Sequence, residues 1–127
     1  MTELIEKELV YTIVGCSMEV HNEIGYGLRE KTYERSLCRE FKLRNIWFDQ
    51  QAVYPVLYKG EKVDEYIPDL VVRERVVIDA KTVDAINDDH RGQVLNYLKI
   101  TGLKVGLIIN FKNPKLEWER VVLDTAR

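Results

Sequence analysis

The chain has 127 residues, 46 % of them hydrophobic and 31 % charged, and a formal net charge of −2. That is enough chain for one domain with one core, spanning 1–127, and it carries no global basic signal, so any nucleic-acid binding must use a local patch. No apolar run of about eighteen residues marks a membrane span, "MTELIEKELV" lacks the build of a signal peptide, no Cys/His spacing suggests zinc, and Cys16 and Cys38 read as buried free thiols suited to a reducing cytoplasm.

From Thr2 to Ile24, apolar residues recur every three or four positions (Ile5, Leu9, Ile13, Cys16, Val20, Ile24), which predicts a helix ended by "GYG" at Gly25–Gly27. A second helix is expected from about Leu28 to Arg44, with Tyr33, Leu37 and Phe41 on one face. Arg29, Lys31, Arg35, Arg39, Lys42 and Arg44 crowd this segment, most simply as a solvated face. "QAVYPVLY" and "VDEYIPDLVV" alternate as strands do, with Lys59-Gly60 as the turn between them. "RVVIDAKTV" is mostly apolar and reads as a central strand. "NDDHRGQVLNYLKITG" is a helix that Asn87 or Asp88 can cap and Gly102 ends. "KVGLIINF" and "LEWERVVL" are two further strands. The expected order is α-α-β-β-β-α-β-β. The strand–helix–strand passage from Val76 to Phe111 implies a parallel pair, so an antiparallel meander joins a parallel element in a mixed α/β sheet.

The hairpin "YIPDLVVRERVVIDAK", Tyr66 to Lys81, carries an aspartate at the far end of each arm. If "RER" is the turn, Val72 pairs with Val76 and Asp69 falls opposite Asp79, with Cβ atoms ~5 Å apart and Lys81 on the same face. A turn one residue shorter puts the two aspartates on opposite faces. In the favoured register the carboxylates repel by about 3 kcal/mol at an effective dielectric of 20. A divalent cation between them reverses that sign, and Mg²⁺ commonly takes one or two carboxylates. The plain alternative is that Asp79 pairs with Lys81 or Lys62 on a solvated face.

Two stripes bear on the choice. Glu30 is in line with Tyr33, Leu37 and Phe41; it either frays to solvent at the helix end or reaches the same cation. His90, Gln93 and Tyr97 form a stripe on the helix that follows Lys81; they either line the same pocket or leave His90 and Gln93 solvated beside a partly buried Tyr97. His21 borders an apolar stripe and reads more readily as a satisfied structural histidine.

Pro68-Asp69 followed by Asp79-Ala80-Lys81 resembles the PD-(D/E)XK nuclease signature. Gln93 and Tyr97, spaced Q-x-x-x-Y, are similar to the motif that follows the lysine in RecB-type nuclease domains. "GLREKTY" matches G-x-x-E-x-x-Y through Gly27, Glu30 and Tyr33, with "MEVHNEIG" before it. Together these look like the small GxxExxY family, a branch of the PD-(D/E)XK superfamily, across about Val14 to Val122. The second acidic position is Asp79, where many relatives have glutamate.

The resemblance implies a restriction-endonuclease-like core and metal-dependent hydrolysis of a phosphodiester, in DNA ahead of RNA. Asp69, Asp79, the Ala80 carbonyl and Glu30 would hold Mg²⁺, with Mn²⁺ able to substitute. Lys81 would orient or deprotonate the attacking water or offset developing charge, and Gln93, Tyr97 and His90 would position the substrate. A homodimer for cutting both strands and a protein that delivers the substrate are conceivable partners; a membrane is not. The competing expectation is a non-catalytic module that keeps the nuclease fold and binds nucleic acid or a protein.

Overall fold

The computed structural model describes residues 5–123. Helices α1 (Lys7–Ile24) and α2 (Glu30–Leu43) precede five strands: β1 (Phe48–Gln50), β2 (Tyr54–Tyr58), β3 (Glu61–Tyr66), β4 (Leu70–Val72) and β5 (Val76–Lys81). Helix α3 (Asp88–Thr101) and strands β6 (Val105–Asn110) and β7 (Glu117–Val122) complete the order. The mixed α/β fold expected from the sequence is the one adopted, with more strands than the periodicity revealed. The first residues of the helix expected from Thr2 lie outside the described residues.

The main sheet runs β1-β4-β5-β6-β7. β5 pairs in parallel with β6, from Val76↔Val105 to Lys81↔Asn110, and every other pair in this sheet is antiparallel. Both faces are covered. Val76, Ile78 and Ala80 of β5 join a core with α1 and α2 that includes Ile13, Tyr33, Leu37 and Phe41. Val77 points the other way, into a smaller core with Val94 and Leu98 of α3. This two-sided burial explains why β5 and β6 read as nearly continuous apolar runs.

The expected meander is cut in two. β2 and β3 form a separate two-stranded sheet, turned by Lys59 (φ 50°) and Gly60 (φ 85°). "VDEYIPDLVV" is not one strand. It breaks at Ile67-Pro68, where proline has no N–H for a ladder, and re-enters the main sheet at Leu70. The chain then turns through Arg73–Arg75 with Val72↔Val76, Val71↔Val77 and Leu70↔Ile78 paired, the longer-turn register; the pairing ends there, with Asp69 one residue before β4. Arg73 (φ 53°) and Glu74 (φ 55°) occupy the left-handed region without being glycine, a local strain that the flanking buried valines hold in place.

The α3–sheet contact is close. A Cβ on Gly106, which pairs with Val77, would lie 2.5 Å from Cγ1 of the fully buried Val94. Valine is stiff at χ1, so this neighbour cannot swing away cheaply. Gly106→Ala is expected to destabilise the protein by ~1–3 kcal/mol in urea unfolding, and adding Val94→Ala should recover part of that loss. Additive losses in the double variant would contradict this packing.

Candidate active site

The site lies where β5 ends. Asp79 and Lys81 share the face of Val77, toward α3, and Ala80 between them is buried against α1 and α2. Asp69, just before β4, turns its carboxylate to the same strand end: Oδ2 accepts from the Ala80 N–H at 3.2 Å. Asp79 is only 8 % exposed. The Lys81 ammonium comes within 3.2 Å of its Oδ2, yet that oxygen is buried without a directed hydrogen bond. The contact is an ion pair, and Lys81 is the one partner of that oxygen among the described residues. Lys62 plays no part here; it pairs with Glu65 in the β2–β3 hairpin.

Burial dominates the protonation of both aspartates. Asp69 is pushed up to about 6, chiefly by desolvation; the Ala80 hydrogen bond opposes this, and Glu34, Asp79 and Glu30 add to it. Asp79 is also raised by desolvation, against the pull of Lys81. Two carboxylates that resist ionisation, one with an orphan oxygen, form a set of hard oxygen donors that a divalent cation would relieve. Among the described residues no three His, Cys, Asp or Glu side chains already gather as a closed metal cage. A shell built from two or three protein oxygens and otherwise from water fits this arrangement, as Mg²⁺ prefers.

The remaining expected residues arrive from both faces of the sheet. Glu30 is the first residue of α2 and is exposed, but it neither frays nor sits in the core. Its Oε2 accepts from the Thr82 N–H at 3.1 Å and the Thr82 hydroxyl at 3.4 Å, which brings a carboxylate from the opposite face over the end of β5. From α3, the Gln93 Oε1 accepts from the Lys81 ammonium at 3.3 Å. Tyr97 stacks on Tyr66 with centroids 4.1 Å apart. Burial raises the Tyr97 phenol, and Asp79 and Asp69 add to the effect, as charges facing the same space do. His90 serves α3 itself: its Nδ1 accepts from the Asn87 N–H while the Asn87 side chain accepts from the His90 N–H, a reciprocal cap. His21 is buried and bonds the Asn113 carbonyl at 2.9 Å, far from free.

The "GLREKTY" residues have local physical roles. Gly27 takes φ 91°, where a side chain would be strained. The Tyr33 hydroxyl donates to the Gly25 carbonyl at 2.9 Å and accepts from the Leu28 N–H at 3.1 Å, and its ring stacks on Phe111 at 4.5 Å. The loop before α2 is thereby clamped, and Glu30 is delivered to Thr82.

Sequence reasoning missed four contributors. Tyr66, at the end of β3, forms one wall with Tyr97; nothing in its alternation sets it apart. Glu34, 4 % exposed, accepts from Lys31 at 3.2 Å and from Gln50 of β1 at 3.1 Å. Asn110, fully buried, exchanges hydrogen bonds with the Val83 backbone at 3.0 and 2.8 Å and donates to Glu117 at 2.9 Å. Glu117 in turn accepts from the Ile86 N–H. This brace fixes the segment between Lys81 and α3. The one legible signal was a lone asparagine ending the apolar run "VGLIIN".

The sequence matches the PD-(D/E)XK nuclease superfamily over residues 7–121. The crystal structure of SSO0001 is similar, with a TM-score of 0.57 at 18 % identity, over 74 % of this chain and 50 % of that one. The chain thus spans half the length of that relative. The alkaline exonuclease LHK-Exo from Laribacter hongkongensis aligns with a TM-score of 0.55 at 10 % identity, over 98 % of this chain and 73 % of the exonuclease. At such identities the likeness is one of fold. No curated protein matches the chain significantly.

The raised pKa of Asp69 makes stability depend on pH. Ionising it costs more in the folded state, near 6, than in the unfolded chain, near 3.8. The metal-free protein therefore loses stability as pH rises through that window, while below it the carboxyl is neutral in both states. Asp69→Asn should stabilise the chelator-treated protein by ~1–2 kcal/mol at pH 7, after allowance for partial exposure, and hardly at pH 4. Urea unfolding at the two pH values measures this; an equal effect at both would be the contrary result.

Proposed function

The chain belongs to the PD-(D/E)XK nuclease superfamily, and from that premise we propose that it is a metal-dependent nuclease acting on the phosphodiester backbone of DNA in preference to RNA. One observation carries the proposal: the buried Asp79 oxygen without a hydrogen bond, beside Asp69 and under the Lys81 ammonium. A fold maintained only for stability gains little from two neighbouring buried carboxylates, one of which has an oxygen held by a single ion pair.

Asp69, Asp79, the Ala80 carbonyl and Glu30 would hold Mg²⁺ or Mn²⁺. The bound cation would lower the pKa of a water and neutralise charge on the phosphoryl oxygens. Lys81 orients the attacking water and offsets negative charge that develops on the phosphate. Gln93 holds Lys81 through their 3.3 Å contact. Tyr97, backed by Tyr66, limits water on the α3 side and positions the scissile segment, and His90, by capping α3, keeps Gln93 and Tyr97 in place. The clamped Gly27–Tyr33 loop supports assignment to the GxxExxY branch.

Cutting both strands of a duplex from one small site would call for a two-fold homodimer or a partner that presents the second strand. The net charge of −2 favours a partner that delivers substrate over tight unaided binding. Cys16 and Cys38, both free and buried, suit a reducing compartment such as the cytoplasm. No helix of the described residues is long and apolar enough to cross a membrane. The competing non-catalytic module would have little use for the combination of Asp69, Asp79 and Lys81.

Purified protein is expected to cleave DNA with Mg²⁺ or Mn²⁺ and to stop in chelator. Lys81→Ala should lower cleavage by roughly 10²–10⁴-fold while retaining most substrate binding, whereas Asp69→Ala should lose metal binding and cleavage together. If neither DNA nor RNA is cut at low salt with Mn²⁺, the binding-module reading replaces this one. Metal should also stabilise the fold. At a hundredfold excess over its dissociation constant the gain is ~2.7 kcal/mol, and Asp79→Asn should abolish it. Melting curves indifferent to both metal and Asp79→Asn would count against the site.

A further inference from the structure

Helix α2 contains more positive charge than its own carboxylates use. Lys31 pairs with Glu34 and Arg44 with Glu40. Arg35, Arg39 and Lys42 are exposed and form no ion pair among the described residues. A helix turns by roughly 100° per residue, so these three fall within about 60° of one another, in a row about 10 Å long. The row flanks the Glu34–Cys38 side, and Glu34 ties that side to edge strand β1 through Gln50. β1 in turn pairs with β4, the strand that Asp69 precedes. The row itself lies on the outward face of α2, roughly opposite the buried Tyr33, Leu37 and Phe41, on a helix whose first residue, Glu30, is tied to the end of β5.

We propose that Arg35, Arg39 and Lys42 form a phosphate-binding row that holds the backbone of duplex DNA against the outer face of the helix that carries Glu30. This rests on the nuclease reading and deepens it. Three unpaired cations on a protein of net charge −2 concentrate a local positive field where the global field is negative. Duplex DNA is the matching partner for two reasons. Its phosphates give the highest linear charge density, and a straight row fixed on a helix suits a stiff backbone. Single strands are held largely by stacking on exposed aromatic rings; within α2 the aromatics, Tyr33 and Phe41, are fully buried, and the exposed Tyr26 and Trp47 lie beyond its two ends and outside the row. The row contacts phosphates only, so it contributes affinity and orientation without reading sequence.

The test is equilibrium binding of a labelled DNA duplex by fluorescence anisotropy, in chelator so that nothing is cut, over a range of salt. Arg35→Gln, Arg39→Gln and Lys42→Gln combined should weaken binding roughly tenfold or more at low salt and lower the slope of log K against log salt by about 2 to 3. Lys7→Gln, Lys99→Gln and Lys104→Gln combined remove the same charge from exposed positions on other segments of the chain and should change binding by no more than about twofold. Arg35→Lys with Arg39→Lys should keep the salt slope. Thermal melting of each variant checks that it is folded. An unchanged slope in the first variant, or equal weakening in the control, overturns the row. An equal or larger loss on single-stranded DNA or on RNA overturns its assignment to duplex. Wild-type cleavage with unaltered binding by the row variant removes the row and leaves the nuclease reading. Wild type that neither binds nor cuts any nucleic acid removes both.

Discussion

Burial of the Asp79 carboxylate is the constraint around which this structure is arranged. β5 is flanked by β4 and β6 and covered by helices on both faces, so a charge near its end is withdrawn from water on nearly every side. Desolvation opposes that charge, and the Lys81 ammonium 3.2 Å away offsets it only in part. Asp69 sits across the hairpin and is itself held toward the neutral form. Strand β5 is placed by its apolar residues, and the cost of its polar end is accepted as a consequence. The packing of Val76, Val77 and Ile78 is thereby linked to the charge of the aspartate that follows them.

Positions around this strand end depend on contacts from both sides of the sheet. α2 packs on one face and brings Glu30 over the edge to Thr82; α3 packs on the other and brings Gln93 to Lys81. Neither helix is adjacent to β5 without an intervening loop, so each loop is pinned. Tyr33 clamps the glycine-rich turn before α2 through two hydrogen bonds and a stack on Phe111. Asn110 and Glu117 clamp the segment before α3 from the neighbouring strands. Buried polar groups serve here as positional locks. Each is satisfied by partners, and each resists the small displacements that would move Lys81 away from the aspartates.

Much of this was legible from local chemistry. The apolar runs on either side of Arg73–Arg75 mark β4 and β5 as a hairpin, but both faces of these strands are buried, so the valines alone do not choose between the two registers. Asn87 and Gly102 mark the ends of α3 through side-chain capping and a left-handed φ of 77°, both properties of single residues. β1 escaped notice because three residues, Phe48–Gln50, are too few to show a period, and they become a strand only by pairing with β4. The division of "VDEYIPDLVV" was signalled by Pro68, but a missing N–H says where a ladder stops and not which sheet takes up the chain next.

The sequence by itself therefore determined most of the element types and the acidic-and-lysine set, since these follow from periodicity and from residues adjacent in chain, while the structure chose between the two hairpin registers. Tertiary structure alone decided which face each group comes from. Glu30 lies 52 positions from the Thr82 it bonds, Asn110 lies 27 from Val83, and Tyr66, which ends the separate β2–β3 sheet, stacks on Tyr97 of α3. Such contacts depend on how layers stack. Stacking is set by the summed burial of many apolar side chains, so no short stretch of sequence contains it.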